Sequence, residues 1–309
     1  MVRFESATLS RAGGRSRNED RCGSMVCDGA ACWVLADGLG GRVGGEIAAQ
    51  IAVDAVLAVF RDDPRCSADV LERAMEEANS ALQREQAAEP RLAQMRTTAV
   101  VLLSDGSSAL WAHLGDSRLY CLQDGWIVHR SRDHSVPQSL CDGGRITTEE
   151  IRFHPDRNRL LRALGNASKA EPALARDALL VGEGDVFLLC SDGFWEYVTE
   201  TEMEADLACA MAPGEWLDRM EDRLLRSVAA DHDNYSAIAV FAAADRGMNL
   251  GESSAGFAPA SGVKGRVVKR QRSPAGWPVC LGFGSPGSLA VRSAVGREQI
   301  SFGGEVYAD

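Results

Sequence analysis

The stretch Val34-Leu35-Ala36-Asp37-Gly38-Leu39-Gly40-Gly41 carries a carboxylate off the end of an apolar run into a turn built of glycine. A short unbroken apolar run reads as a buried strand. An acid at its end sits where little can cover it, which is the placement a ligand for a hard cation needs. The pattern returns at Ala112-His113-Leu114-Gly115-Asp116 and at Leu188-Leu189-Cys190-Ser191-Asp192-Gly193. It returns again at Asp231-His232-Asp233-Asn234, ahead of the apolar run Ala237 to Phe241. Asp-Gly by itself is a common turn pair, and Asp124-Gly125 is the internal control: between the alternating runs Arg118–Leu122 and Trp126–His129 it reads as a hairpin turn. Asp37 and Asp192 instead follow apolar runs with no matching strand immediately after them, so strand-end acids point to one hard-cation site.

Periodicity supplies the frame around these acids. Between Gly45 and Phe60 the apolar residues Ile47, Ala48, Ile51, Ala52, Ala55 and Val56 fall on one helix face. Ser67 offers an N-cap to a second helix that carries Val70, Leu71, Ala74, Ala78 and Leu82 towards Pro90. Strand-like runs are Cys32–Ala36, Thr98–Leu103, Ala109–Leu114, Arg118–Leu122, Trp126–His129, Val186–Cys190 and Ala237–Phe241. Hairpin-style strands interrupted by one pair of long helices suit a layered α+β sandwich, with two central antiparallel sheets and helices outside.

The order of the motifs is more specific than any one of them. Gly14-Arg15-Ser16-Arg17-Asn18-Glu19-Asp20 is followed by Asp37-Gly38-Leu39-Gly40-Gly41, Arg96-Thr97-Thr98-Ala99, Gly115-Asp116-Ser117-Arg118, Ser191-Asp192-Gly193 and Asp233-Asn234. Between them lie Asp133-His134-Ser135 and His154-Pro155-Asp156-Arg157-Asn158, running to Arg162-Ala163-Leu164-Gly165. From about Phe4 to Phe241 this series resembles the metal-dependent Ser/Thr protein phosphatases of the type 2C, or PPM, family in its bacterial form. The resemblance implies a four-layer αββα sandwich with the metals in a cleft at one edge of the sheets. It implies two Mn2+ or Mg2+ ions, and a third in some members. Asp37 would bridge two ions, Asp192 and Asp233 would complete the first, and Asp20 with the Gly38 carbonyl would serve the second, with Glu19 a weaker candidate beside Asp20. Asp116 would share a third, weaker ion with Asp192. Arg15, four residues before Glu19, matches the phosphate-binding arginine, while Arg17 is out of phase with it.

These expectations agree with what the chemistry demands. Two divalent cations can activate water for in-line attack on a phosphate monoester and neutralise the phosphoryl oxygens. Such ions want oxygen ligands and keep much of their water, so a few carboxylates and a carbonyl suffice. A planar forked guanidinium suits a phosphate. The family's candidate leaving-group histidine is missing: Leu39 and Arg42 occupy the positions where it is found. The general acid is therefore unassigned among His113, His129, His134, His154 and His232, of which His134 precedes the segment Cys141 to Pro155 and His154 stands near its end. That segment matches the family's mobile flap by position, or is an ordinary surface loop with a helical turn at Thr148–Ile151.

Other chemistries fail on spacing. No cysteine is followed six positions later by an arginine, which excludes a cysteine-dependent phosphatase loop. Gly38 to Gly45 has Val43 where a dinucleotide fingerprint needs its third glycine, and Glu46 where a P-loop needs lysine. The nine cysteines form no Cys-x-x-Cys pair, and their odd number reads as reduced thiols in the cytoplasm. A net charge of −11 over 309 residues, without a basic stripe, argues against nucleic acid and against a metal-dependent nuclease. No apolar run reaches membrane-spanning length. One catalytic domain over residues 4–244 is expected. Residues 245–309, rich in Gly, Ser, Ala and Pro and carrying Lys264, Arg266, Lys269, Arg270 and Arg272, read as a disordered basic tail. The resemblance implies phosphoprotein substrates and an opposing Ser/Thr kinase, and a monomer is expected. The competing reading is a pseudo-phosphatase that binds phosphoproteins without turning them over, against which the retained acids speak.

Overall fold

The computed structural model describes residues 2–39, 44–166 and 170–244, so Gly40, Gly41, Arg42 and the tail of residues 245–309 lie outside the described residues. In chain order the elements are β1 (Val2–Arg11), β2 (Asp20–Cys27), β3 (Ala30–Leu39), α1 (Gly45–Asp62), α2 (Ala68–Ala88), β4 (Arg96–Thr97) and β5 (Ala99–Ser104). There follow β6 (Ser108–Leu114), β7 (Arg118–Gln123), β8 (Trp126–Arg130), α3 (Val136–Asp142), β9 (Ala173–Leu174), β10 (Leu179–Leu180) and β11 (Val186–Cys190). The series closes with α4 (Asp192–Trp195), α5 (Glu200–Leu207), α6 (Pro213–Ser227) and β12 (Tyr235–Ala244).

The strands form two antiparallel sheets. One runs β1-β12-β11-β7-β8; the other runs β10-β6-β5-β3-β2, with β4 beside β3 and β9 beside β6. The alternation of side chains along a strand builds the layers. On β3, Cys32, Val34 and Ala36 face α1 and α2, packing on Ala48, Ala52, Val56, Leu71, Met75 and Leu82. Its other face sends Ala31, Trp33 and Leu35 between the sheets, against Leu119, Cys121, Phe187, Leu189, Ile238 and Val240. The far side of the first sheet buries Leu188, Cys190 and Ala239 against Trp195, Trp216, Leu217, Met220 and Leu224 of α4 and α6. The expected αββα sandwich is therefore the observed one.

Local signals behave as read. The Ser67 hydroxyl accepts the Val70 amide at the start of α2, a cap worth about 1 kcal/mol. Asp124 (φ 52°) and Gly125 (φ 84°) make the tight β7–β8 hairpin turn, with both central residues left-handed as such a turn requires.

Three expectations need correction. Asp37 is not beyond its strand: β3 continues through Leu39 because Gly38 and Leu39 pair with Thr97 and Arg96 of β4. The strands β1, β2, β4, β9 and β10 and the helices α3 to α6 were not anticipated. Within Cys141–Pro155 the helical turn is a 3-10 turn over Glu149–Phe153, whose Ile151 and Arg152 are buried. Arg152 there pairs with Glu200 and donates to the Val198 carbonyl.

Candidate metal centre

The ends of both sheets converge on one cavity of about 660 Å³, whose walls include Arg15, Glu19, Asp37, Gly38, Asp116, Asp192 and Asp233. Asp20 stands behind this floor as the first residue of β2, directly opposite Asp37 in the β2–β3 register. It is 1% exposed. One of its oxygens, Oδ2, accepts from the Ser191 hydroxyl at 2.9 Å, and the other, Oδ1, is buried without a partner.

The backbone that presents Asp37 is clamped from the side. Its amide donates to Thr98 Oγ1, and its carbonyl accepts from the Thr97 hydroxyl and the Thr98 amide. The Arg96-Thr97-Thr98 motif thus holds the strand end that carries the acid. Gly38 must be glycine for a packing reason: a Cβ there would lie 2.1 Å from the carbonyl oxygen of Gly45, the first residue of α1. Helix start and strand end touch backbone to backbone, and Gly38 itself lines the cavity.

Asp116 follows β6 in a turn closed by Gly115 (φ +106°), where a Cβ would strike Thr98 at 2.5 Å. Asp192 opens α4, and Asp233 precedes β12. Asn234, 7% exposed, staples the loop between β1 and β2: its amide nitrogen donates to the carbonyls of Ala12 and Arg17, and its Oδ1 accepts the Glu19 amide. That loop bridges the two sheets and delivers Arg15, whose guanidinium donates to Asp233 at 3.0 Å. Arg17 also lines the cavity, although its place in the motif set it apart from Arg15. Glu19 turns its carboxylate towards Gly45, where an added Cβ would lie 2.4 Å from Oε2, while its carbonyl accepts from the Gly38 amide.

The electrostatics follow from crowding. Burial, then the charges of Asp20 and Asp192, pushes Asp37 well above the usual carboxylate range. Asp116 is raised likewise by burial and by Asp192. Burial lifts Asp20 to about 7, with the nearby hydroxyls of Ser236 and Ser191 opposing it. Burial and Asp233 lift Asp192 to about 6 against the Gly193 amide. Asp37 and Asp192 are only half-buried by area, because each keeps one face open to the cavity floor while protein surrounds the rest.

This donor set fits hard divalent cations. Its oxygens repel one another, the Asp20 oxygen has no partner, and neither cysteine nor histidine lines the cavity. Among the described residues no three His, Cys, Asp or Glu side chains are placed as a group to hold a metal ion by themselves; Mg2+ does not depend on an all-protein cage, since it retains several waters.

The histidines divide. His113 donates through Nε2 to the Arg132 carbonyl, His134 accepts the Gly115 amide, and His154 accepts the Asp156 amide. His129 packs against Trp111 with its ring tilted by 45°. None of these four lines the cavity, whereas His232 borders a side chamber of about 230 Å³ next to Arg15, Asp192 and Asp233. No residue of Cys141–Pro155 reaches the cavity either; the chain arrives there just beyond, with Asn158 and Leu160. Thr97, Thr98, Asn158, Ser191 and Asn234 were not assigned roles from sequence. All five sit in motifs of the series quoted above, which could have flagged them.

Residues 10–228 match the family described as protein phosphatase 2C. The chain is 39% identical over 196 residues to the serine/threonine protein phosphatase PstP of Mycobacterium tuberculosis, an alignment covering 62% of this chain and 36% of that one. The chain thus spans little more than a third of that relative's length. The crystal structure of the M. tuberculosis PstP/Ppp phosphatase superposes with a TM-score of 0.69 at 32% identity, over 79% of this chain and all of that one. The PstP catalytic domain in complex with two manganese ions superposes with a TM-score of 0.67 at 30% identity, over 78% of this chain and 98% of that one.

Proposed function

The chain belongs to the protein phosphatase 2C family, and from that membership we propose that it is a metal-dependent phosphatase for phosphoserine and phosphothreonine in proteins. The convergence of Asp37, Asp116, Asp192 and Asp233 with Arg15 on one cavity carries the reading. Two Mn2+ or Mg2+ ions, when bound, supply the Lewis acidity that activates water and neutralises phosphoryl oxygens. Asp37 is assigned to both ions, Asp192 and Asp233 to one, and Asp20 with the Gly38 carbonyl to the other. Asp116 is assigned to a weaker third ion and Glu19 to an outer role beside Asp20.

Arg15 holds the phosphate and orients it for in-line attack; its present partner Asp233 keeps the guanidinium at the cavity mouth. Thr97 and Thr98 fix the Asp37 backbone, and Asn234 fixes the loop bearing Arg15, so that acid and cation meet the substrate in set positions. The catalytic unit is assigned to residues 4–244, acting as a cytoplasmic monomer that opposes a Ser/Thr kinase. Among the described residues no helix is long and apolar enough to cross a membrane.

The deciding experiment is phosphate release from phosphoserine and phosphothreonine peptides with Mn2+, with Mg2+ and with chelator. Turnover that chelator abolishes and metal restores is the expected result. Phosphopeptide binding without turnover in any metal would establish a pseudo-phosphatase instead.

A further inference from the structure

Trp195 is the fourth residue of the short helix that Asp192 opens, and it is 2% exposed. Its indole N–H donates to the carbonyl of Asp116 at 2.9 Å. One side chain therefore ties the helix bearing Asp192 to the turn bearing Asp116. The ring is itself fixed: the Arg118 guanidinium lies 3.3 Å from its centroid, and Arg118 is locked by a bidentate, fully buried pairing with Asp133 at 2.8 and 2.7 Å. The residue after Asp133 completes the clasp, His134 accepting the Gly115 amide through Nδ1 and donating its own amide to the Gly115 carbonyl.

The Asp116 turn is thus gripped at the Gly115 amide, the Gly115 carbonyl and the Asp116 carbonyl. Of these grips only the last comes from the element that also carries Asp192. We propose that Trp195 is a positioning residue: its indole N–H sets the separation of the Asp116 and Asp192 carboxylates and with it the affinity for the cation those two acids share. This rests on the assignment of both acids as cation ligands under the proposed function.

The test is Mn2+ binding to the full chain by calorimetry, comparing the parent with Trp195→Phe, which keeps a ring for Arg118 to stack on and removes the donor. The weakest class of sites should lose about 3- to 10-fold in affinity, the worth of one hydrogen bond, while the tight classes stay as in the parent; the metal-free melting temperature falls because a buried ring is trimmed, and circular dichroism checks that the variant is folded. A second measurement does without Trp195→Phe. In the parent, the Trp195 indole 15N–1H resonance should shift with the weakest phase of a Mg2+ titration, and that shift should disappear in Asp116→Asn. An unchanged weak class in Trp195→Phe, or a uniform loss in all classes, overturns the proposal. So does an indole resonance that ignores Mg2+ or that still shifts in Asp116→Asn. If the parent binds no Mn2+ at all, the metal assignment itself falls and takes the proposal with it.

Discussion

Asp20 and Asp37 are direct partners across the antiparallel β2–β3 pair, an arrangement in which like charges destabilise a sheet. Nothing cationic stands between them on the strands. Their mutual repulsion is relieved only by a proton or by a cation, and this gives the domain a stability that depends on both.

The pH dependence has a definite sign. Burial raises the Asp20 carboxyl from 3.8 to about 7, so between those values the folded chain holds a proton that the unfolded chain has released. Stability therefore falls as pH rises through the window from about 4 to about 7. In metal-free buffer the melting temperature should drop between pH 5.5 and pH 8, by an amount equivalent to a few kcal/mol. Asp20→Asn should flatten that slope, and Mn2+ should restore the parent at pH 8. Differential scanning calorimetry at both pH values checks this; a slope unchanged by Asp20→Asn would mean that the carboxylates are not strained as described.

Asp37→Asn and Asp116→Asn should separate. Asp37 interacts with Asp20, Asp192, Asp116 and Asp233, so its loss should lower kcat on the order of a hundredfold or more, as removal of other transition-state charge stabilisers does. Asp116→Asn should cost far less in saturating Mn2+. Steady-state rates on an aryl phosphate decide it, and equal losses would remove the central role assigned to Asp37.

Arg15→Ala should act on substrate affinity, raising KM roughly tenfold, about 1.4 kcal/mol, with a smaller change in kcat. Arg17→Ala should be nearly silent, because Asn234 uses the Arg17 carbonyl, which the substitution leaves in place. A loss in Arg17→Ala as large as that in Arg15→Ala would make both guanidinia phosphate ligands.

A chain ending at Arg246 should fold and keep its rate on the aryl phosphate, since the motif series ends at Asp233-Asn234 and the last described strand ends at Ala244. Insoluble or inactive protein from that truncation would place residues after Arg246 in the domain's packing.

Much of this architecture was legible because it is local. The buried runs of β3 and β11, the single apolar faces of α1 and α2, and the order of the acidic motifs all announce themselves within a few residues. The misses have physical causes. Strand β1, Val2–Arg11, is mostly half-exposed, so it lacks a strong apolar run. Strand β2 carries Gly23, whose missing Cβ makes room for Val53 of α1; a glycine inside a strand reads as a break until the helix above it is known. Helix α6 did offer a signal, with Pro213 in its first turn and Trp216, Leu217, Met220 and Leu224 on one face. The extension of β3 through Leu39 depends on β4, nearly sixty residues later in sequence. The Trp195 link to Asp116 likewise joins residues distant in sequence, and no local pattern encodes such a contact.

The first and last strands of the described domain lie side by side, paired in register from Val2 with Ala244 to Arg11 with Tyr235, and β12 is flanked on its other edge by β11. A ribosome releases β1 long before β12, so β1 has no neighbour in its sheet until the end of translation of the domain. Contacts of such long sequence separation form late and slowly. The loop that carries Arg15 is stapled by Asn234, and Arg15 pairs with Asp233, both just ahead of β12. The nascent chain consequently cannot seat Arg15 beside Asp233, or fix the loop that carries it, until synthesis has passed Asn234.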